Sequence, residues 1–236
     1  MYFEPTTTTG SSSVGVVVAV RNGAAFIGSA LSSVLSGGIV PNEVVVVDGG
    51  STDNTVAIAS GFDGVRVLAQ RSSGLAGGRN EGVAALRSDL VAFCDADDCW
   101  TPTSLADRLN HLRADPGCAA VVGAMVTVAL DGESVPAVHA DRLGRSTVGL
   151  TPGALLVRAD VFADVGGFDT GLHIAADSEW FARLGRSRRR LDRIDDVVLH
   201  KGVRPASLSG EVVTYRRELL SVTRDHLRHH RRMVSP

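Results

Sequence analysis

The sequence predicts an α/β protein with a mixed, mostly parallel central sheet flanked by helices. Its candidate strands are four short, valine-rich apolar runs: residues 14–20, 42–50, 64–70 and 90–96. Because these runs are apolar throughout, they indicate strands covered on both faces, as in parallel sheets. Segments with helical spacing separate them, and Asp48 and Asp95 fall at two of their carboxyl ends, where doubly wound sheets bind ligands.

The segments between the runs predict three helices: residues 24–37, 51–62 and 75–88. Each opens with small or polar residues, which favour helix starts. Strand and helix therefore alternate as far as residue 96, which predicts a Rossmann-like half. The first turn, "VAVRNGAAF", lacks a G-x-G-x-x-G fingerprint, which argues against NAD binding.

The second half predicts additional strands and helices in the same domain. A helix is expected to start near Pro102, and residues 119–135 predict a strand with one exposed face and an Asp-Gly turn. A strand or loop, a short helix and a further helix follow. The tail over residues 211–233 has helical spacing and a strongly basic end.

Composition and charge exclude several classes of partner. The chain has 236 residues, 44% of them hydrophobic, so it can bury a substantial core. Its net charge of −2 gives no field for nucleic acid or for an anionic membrane. No apolar run approaches the roughly 18 residues of a membrane span, and neither a secretory signal nor C-x-x-C spacing is present. We therefore expect a cytoplasmic protein.

The stretch "VAFCDADDCW" carries three carboxylates in four positions, at Asp95, Asp97 and Asp98. Such carboxylates repel one another unless water, helix amides or a cation stabilises them. Asp95 and Asp97 alternate, so both can project to one side of an extended segment, and their oxygens suit Mg²⁺ or Mn²⁺. The alternative is that Asp97 or Asp98 caps the helix that follows.

Other candidate positions also have simpler explanations. Asp48 stands before Gly49-Gly50, where it either shapes a turn or contacts a ribose or base. Arg79 opens a helix after several glycines and suits an anion, although the glycines also fit a loop. Asp177 and Glu179 either have a chemical role or complement a helix dipole. A lone histidine such as His200 is more often packed or solvated than catalytic, and the arginine-rich run near residue 188 favours a solvated surface over a site for a phosphate or an anionic acceptor.

Taken in order, these segments resemble the inverting family-2 glycosyltransferases of the GT-A fold. The resemblance covers about residues 14 to 209. The segments that carry it are "VVVAVRNGAAFIGSALSSVLSG", "VVVVDGGSTDNT", "GLAGGRNEG", "VAFCDADDCWTPTSL", "TPGALLVRADVFADVGGFD" and "AADSEWFARL". The resemblance implies that a sugar is moved from a nucleotide-diphosphate-sugar, with a UDP-sugar favoured, to an acceptor hydroxyl.

The resemblance also implies roles for individual residues. Asp97 would ligate Mg²⁺ or Mn²⁺, and Asp177 would be the general base. The acceptor side would include Gly153, Glu179 and Trp180. The nucleotide-sugar would be bound by Ala19, Arg21, Asn22, Asp48, Arg79, Asp95, Ala96 and Arg204.

Several positions depart from the family pattern. Ala19 stands where proline is usual, Arg21 where an aromatic residue is common, and Gly49 where a second aspartate is usual. Arg204 and Ser207 replace a histidine and an asparagine. An arginine cannot ligate a cation but can bind a diphosphate, so we expect the metal to be held more loosely.

The expected organisation follows from the resemblance. Residues 1–13 would form a disordered leader and residues 14–210 a single domain. Its nucleotide-sugar-binding half would end at residue 100, and its acceptor-binding half would follow. Residues 211–236 would form a basic helix and tail, for which the thin apolar face favours packing or self-association over membrane contact.

Two other functions remain open. A sugar nucleotidyltransferase also needs a nucleotide site with paired carboxylates, but its glycine- and lysine-rich loop near the first strand is absent. A non-catalytic nucleotide-sugar or glycan-binding module is supported by Arg204.

Overall fold

A computed structural model describes residues 12–130, 133–135, 137–204 and 212–234 of the chain. Most of the predicted leader, residues 1–11, and the Asp-Gly turn at 131–132 lie outside the described residues, as does Ser207.

In the described residues, nine strands form one sheet, in the order β3-β2-β1-β4-β8-β6-β9-β5 with β7 paired to β6. The strands are β1 (Val14–Val20), β2 (Glu43–Asp48), β3 (Val65–Ala69), β4 (Leu90–Phe93), β5 (Cys99–Trp100), β6 (Cys118–Ala129), β7 (Ser146–Val148), β8 (Leu155–Arg158) and β9 (Arg190–Val203). The predicted mixed, mostly parallel α/β architecture is confirmed.

The first four strands pair in parallel, as their apolar sequences predict. β1 lies between β2 and β4, and β2 pairs with β3. The register places Val20 opposite Asp48. The carboxyl ends of these strands therefore lie at one edge of the sheet, together with the loop that follows β4.

The second half contains the mixed part of the sheet. β8 is antiparallel to β4 and β6, whereas β9 is parallel to β6 and antiparallel to β5. The prediction of an exposed face on β6 is wrong over its first seven residues, which are buried between β8 and β9. The sequence reasoning also missed β9, because polar residues alternate with few apolar ones along its first half.

Helices cover both faces of the sheet. They are α1 (Ile27–Leu35), α2 (Thr55–Ser60), α3 (Gly74–Ala85), α4 (Ser104–Ala114), α5 (Ala137–Ala140), α6 (Val161–Val165), α7 (Ala176–Arg186) and α8 (Val212–Val234), with a 3₁₀ turn at Pro152–Ala154. Two hydrophobic clusters result, one beneath α1 and α4 and one beneath α6 and α7. Among the described helices, none is both long and apolar enough to cross a bilayer.

The glycines of "GLAGGRNEG" lie inside α3 and not in a loop. A Cβ at Gly82 would meet Val17 at 2.2 Å, and one at Gly78 would meet Ala19 at 3.1 Å. These glycines therefore let α3 pack closely against β1. This close packing brings Arg79, next to Gly78, to the carboxyl edge of the sheet.

Candidate active site

The three carboxylates after β4 point to three different partners. Asp97 accepts from Nε of Arg204 at 3.4 Å, and the Arg204 guanidinium lies over the Phe26 ring, 5.2 Å from its centroid. Asp95 accepts from Nη2 of Arg79 at 2.6 Å. The repulsion between these carboxylates is therefore relieved by neighbouring cationic side chains.

Asp98 is the most deeply buried of the three. Its carboxylate accepts from the amide of Gly202 at 2.9 Å and from Nζ of Lys201 at 3.3 Å. Burial raises the pKa of Asp98 to about 7, against the effect of the Lys201 ammonium. The helix-cap alternative is wrong for Asp97 and Asp98, because β5 intervenes and α4 begins only at Ser104.

Arg79 joins the two halves of the site. Its guanidinium is buried, and Nη1 donates to Oδ1 of Asp177 at 2.5 Å while Nη2 binds Asp95. Burial opposes the charge of the guanidinium, but the two carboxylates outweigh it and raise the pKa of Arg79. Burial would raise the pKa of Asp95, but the charges of Arg79 and Lys201 outweigh it and lower that pKa to about 2. Contact of Arg79 with a diphosphate stays a prediction.

Asp177 stands in the first turn of α7, on the opposite side of Arg79 from Asp95. Its side chain is 28% exposed, so it retains access from solvent. Burial raises the pKa of Asp177 above its ordinary value even though Arg79 opposes the rise. A carboxylate with a raised pKa is a stronger base than a free aspartate.

Lys201 is a site residue that the sequence reasoning missed. Its ammonium lies 3.3 Å from Asp98 and 3.6 Å from Asp95. Burial disfavours the charge of Lys201, but the neighbouring carboxylates raise its pKa. The sequence feature that could have identified it is "HKGVR", in which Lys201 precedes Arg204. The side to which the Lys201 side chain projects could not be predicted, because β9 was not recognised as a strand.

Asp48 and Asn22 order the loops after β2 and β1. Asp48 accepts from the amide of Ser51 at 3.1 Å, which is the turn chemistry considered from sequence. Asn22 has a positive φ of 53°, and its Oδ1 accepts from the amide of Thr52 at 2.9 Å. Arg21 is exposed beside this loop, and Ala19 is buried in β1. Nucleotide contacts by these residues stay predictions.

The predicted acceptor-side residues occupy different environments. Glu179 binds Arg183 at 2.7 Å, and the buried Gly153 accepts from the indole of Trp100 at 3.2 Å. Trp180 is wholly buried, and its indole donates to the carbonyl of Gly166 at 2.9 Å. The periodicity of α7 turns Trp180 towards the core, and the acceptor contacts of all three residues stay predictions.

The donor atoms around Asp97 fit a hard divalent cation. Asp97 lies at the carboxyl edge of the sheet, its side chain is 23% exposed, and its carboxylate oxygens are the ligands that Mg²⁺ and Mn²⁺ prefer. Ala96, half-buried, belongs to the same loop. A cation bound there would adjoin the guanidinium of Arg204.

Fold and site together define an α/β protein with a cluster of paired carboxylates and cationic side chains at the carboxyl edge of its parallel strands. The sequence matches the family described as Glycosyl transferase family 2 over residues 15–163. The chain therefore belongs to glycosyl transferase family 2.

A curated relative is the pre-mycofactocin glycosyltransferase of Mycobacterium tuberculosis, 33% identical over 196 residues. The match covers 75% of this chain and 40% of that protein. An uncharacterized glycosyltransferase of Nostoc, 35% identical over 97 residues, is matched over 39% of this chain and 30% of its own length. The chain thus spans less than half the length of these relatives.

Solved structures confirm the GT-A fold. The mannosyltransferase of Pyrobaculum calidifontis, in complex with GDP-Man and Mn²⁺, has a TM-score of 0.70 at 21% identity, with 93% of this chain and 65% of that chain covered. A second neighbour is glucosyl-3-phosphoglycerate synthase of Mycobacterium tuberculosis, in complex with Mn²⁺, UDP and phosphoglyceric acid. Its TM-score is 0.64 at 21% identity, and the match covers 91% of this chain and 78% of that chain.

Proposed function

We propose that the chain transfers a sugar from a nucleotide-diphosphate-sugar to an acceptor hydroxyl with inversion at the anomeric carbon. The observation that carries this proposal is the bridge that Arg79 forms between Asp95 and Asp177. It holds a carboxylate of the nucleotide half and a carboxylate of α7 on either side of one guanidinium. Family membership and the nucleotide-bound neighbours support the proposal.

In this proposal Asp177 is the general base. It accepts the acceptor's hydroxyl proton while that oxygen attacks the anomeric carbon from the face opposite the diphosphate, which inverts the configuration. Arg79 orients the Asp177 carboxylate, and burial strengthens it as a base. The close positioning of these groups supplies much of the rate.

Asp97 would hold the divalent ion, Mg²⁺ or Mn²⁺. When bound, the ion supplies charge neutralisation for the departing nucleoside diphosphate. Arg204, beside Asp97, would bind diphosphate oxygens directly. We favour a UDP-sugar donor, and GDP-mannose enters the test because a neighbour binds GDP-Man.

A donor screen tests the proposal. The melting temperature is measured with UDP-glucose, UDP-N-acetylglucosamine and GDP-mannose, each with and without Mn²⁺, since a ligand of the native state raises it. We expect one donor to raise the melting temperature only when Mn²⁺ is present. We expect the chain to release the nucleoside diphosphate from that same donor. Pyrophosphate release from a nucleoside triphosphate would instead indicate the nucleotidyltransferase. Donor binding without release in any acceptor screen would indicate the binding module.

A further inference from the structure

The C-terminal helix α8 holds the segment from which α7 starts. The Glu218 carboxylate accepts hydrogen bonds from three consecutive backbone amides, those of His173, Ile174 and Ala175, each at 2.9 Å. Glu218 lies more than 40 residues along the chain from these amides, so the contact is tertiary.

This contact satisfies amides that have no partner within a helix. Backbone N–H groups outside helices and strands need other partners when they are removed from water, and the dipole of α7 adds positive potential before its first turn. A carboxylate that accepts three N–H bonds forms charge-assisted hydrogen bonds, which are stronger than neutral ones. Partial burial of Glu218 opposes its charge, but the three amides outweigh burial and lower its pKa.

Other contacts fix α8 against the same region. The Tyr215 hydroxyl lies 3.4 Å from the Ser178 hydroxyl, on the first turn of α7, and Val222 is buried further along α8. The two helices α7 and α8 are therefore in contact. Glu218 lies between these contacts and faces the start of α7.

Asp177 follows Ala175 by two residues and so moves with the segment that Glu218 binds. Its carboxylate is held by Arg79, and the backbone just before it is held by Glu218. We propose that Glu218 is a positioning residue that fixes the start of α7, and with it the Asp177 carboxylate, for proton transfer from the acceptor. The inference rests on the proposed function, in which Asp177 is the base.

The structural half of the inference is tested without any substrate. Amide hydrogen exchange is carried out on the full chain and read in the proteolytic fragment that spans residues 170–178. The native chain is compared with Glu218→Gln and Glu218→Ala, and Glu133→Gln, which changes an exposed glutamate, is the matched control. We expect exchange at 173–175 to accelerate at least tenfold in Glu218→Ala, less in Glu218→Gln, and not in the control. Unchanged exchange in both Glu218 variants would overturn the inference.

The catalytic half is tested by steady-state kinetics with UDP-glucose, UDP-N-acetylglucosamine or GDP-mannose and Mn²⁺, measured as release of nucleoside diphosphate. Because small displacements of a base cost much of the rate, Glu218→Gln should lower kcat about tenfold and leave the donor KM within about twofold. A merely structural role would leave kcat unchanged well below the melting temperature, and that result would overturn the inference.

Asp177→Asn in the same assay separates the two proposals. If it abolishes release while Glu218→Gln retains the native kcat, only the role of Glu218 is contradicted. If Asp177→Asn retains release, the proposed base is contradicted, whereas the exchange data still report whether Glu218 holds the segment.

Discussion

At the scale of single residues, the site depends on how each carboxylate is paired. The Asp97 carboxylate lies 3.4 Å from Nε of Arg204, whereas Asp95 and Asp177 share the buried Arg79. Asp98 is buried against Lys201 and the backbone of β9. The same residue type is therefore suited to metal binding, to proton transfer or to structural support by its surroundings.

Replacing Asp177 with asparagine removes the proposed base but retains its shape. We expect Asp177→Asn to lower the rate of nucleoside diphosphate release by about 10²-fold or more and to leave the donor-induced rise in melting temperature intact. Asp164→Asn, which alters an exposed partner of Arg189, is the control and should retain the native rate. Native turnover by Asp177→Asn would rule out this base.

The exchange of Arg204 for histidine tests how firmly the cation is held. Histidine can ligate Mn²⁺ and arginine cannot, so Arg204→His should tighten Mn²⁺ binding in the presence of UDP, measured by calorimetry. Arg66→His, at an exposed position, should leave Mn²⁺ binding unchanged. The absence of any gain in Arg204→His would count against the view that Arg204 weakens the metal site.

At the scale of elements, the contact between α3 and β1 decides where Arg79 lies. Gly82→Ala would place a methyl group 2.2 Å from Val17, so overpacking should lower the free energy of unfolding by about 1–3 kcal/mol in urea titrations. A Cβ at Gly185 on α7 would have no other atom within 4 Å, so Gly185→Ala should raise the free energy of unfolding by up to about 1 kcal/mol. Equal effects at the two sites would contradict the close packing of α3.

The contact between α8 and α7 should depend on pH. The pKa of Glu218 is lowered on folding from the ordinary value of 4.5, so its contribution to stability is present above that value and is lost as the pH falls through the lower folded pKa. We therefore expect Glu218→Gln to be less stable than the native chain at pH 7, with the difference shrinking below pH 4. A difference that grows towards acid pH would contradict the sign of this linkage.

At the scale of the whole molecule, neighbouring residues on α3 tie the two halves together. Arg79 reaches Asp177, and Asn80 exchanges two hydrogen bonds of 2.8 Å with the backbone of Phe168. The parallel strands and helices of the first 100 residues are therefore joined to the later part of the chain at the site itself. Self-association through α8, a cytoplasmic location and the division of the chain into domains stay predictions.

Asn80→Ala tests this connection. It would leave the amide and carbonyl of Phe168 without their side-chain partner, so the free energy of unfolding should fall by about 1–3 kcal/mol. Asn110→Ala, at an exposed position on α4, should change it little or raise it slightly. A cost at Asn110 equal to that at Asn80 would show that the loss is not specific to the connection.

The sequence by itself determined the parallel half of the fold. The valine-rich runs predicted β1 to β4 because burial on both faces leaves a local, uninterrupted apolar pattern. It also placed Asp48 and Asp95 at the carboxyl edge of the sheet, since strand direction follows from the alternation of strand and helix.

Only the tertiary structure decided how the charged groups pair. Arg79 and Asp177 are 98 residues apart, and Lys201 lies more than 100 residues from Asp98. Such contacts depend on the register of distant strands and on the close approach of α3, which no local periodicity encodes. The same holds for the burial of Trp180 and for the hydrogen bonds that Glu218 accepts before α7. Each depends on packing against an element that is distant in the sequence.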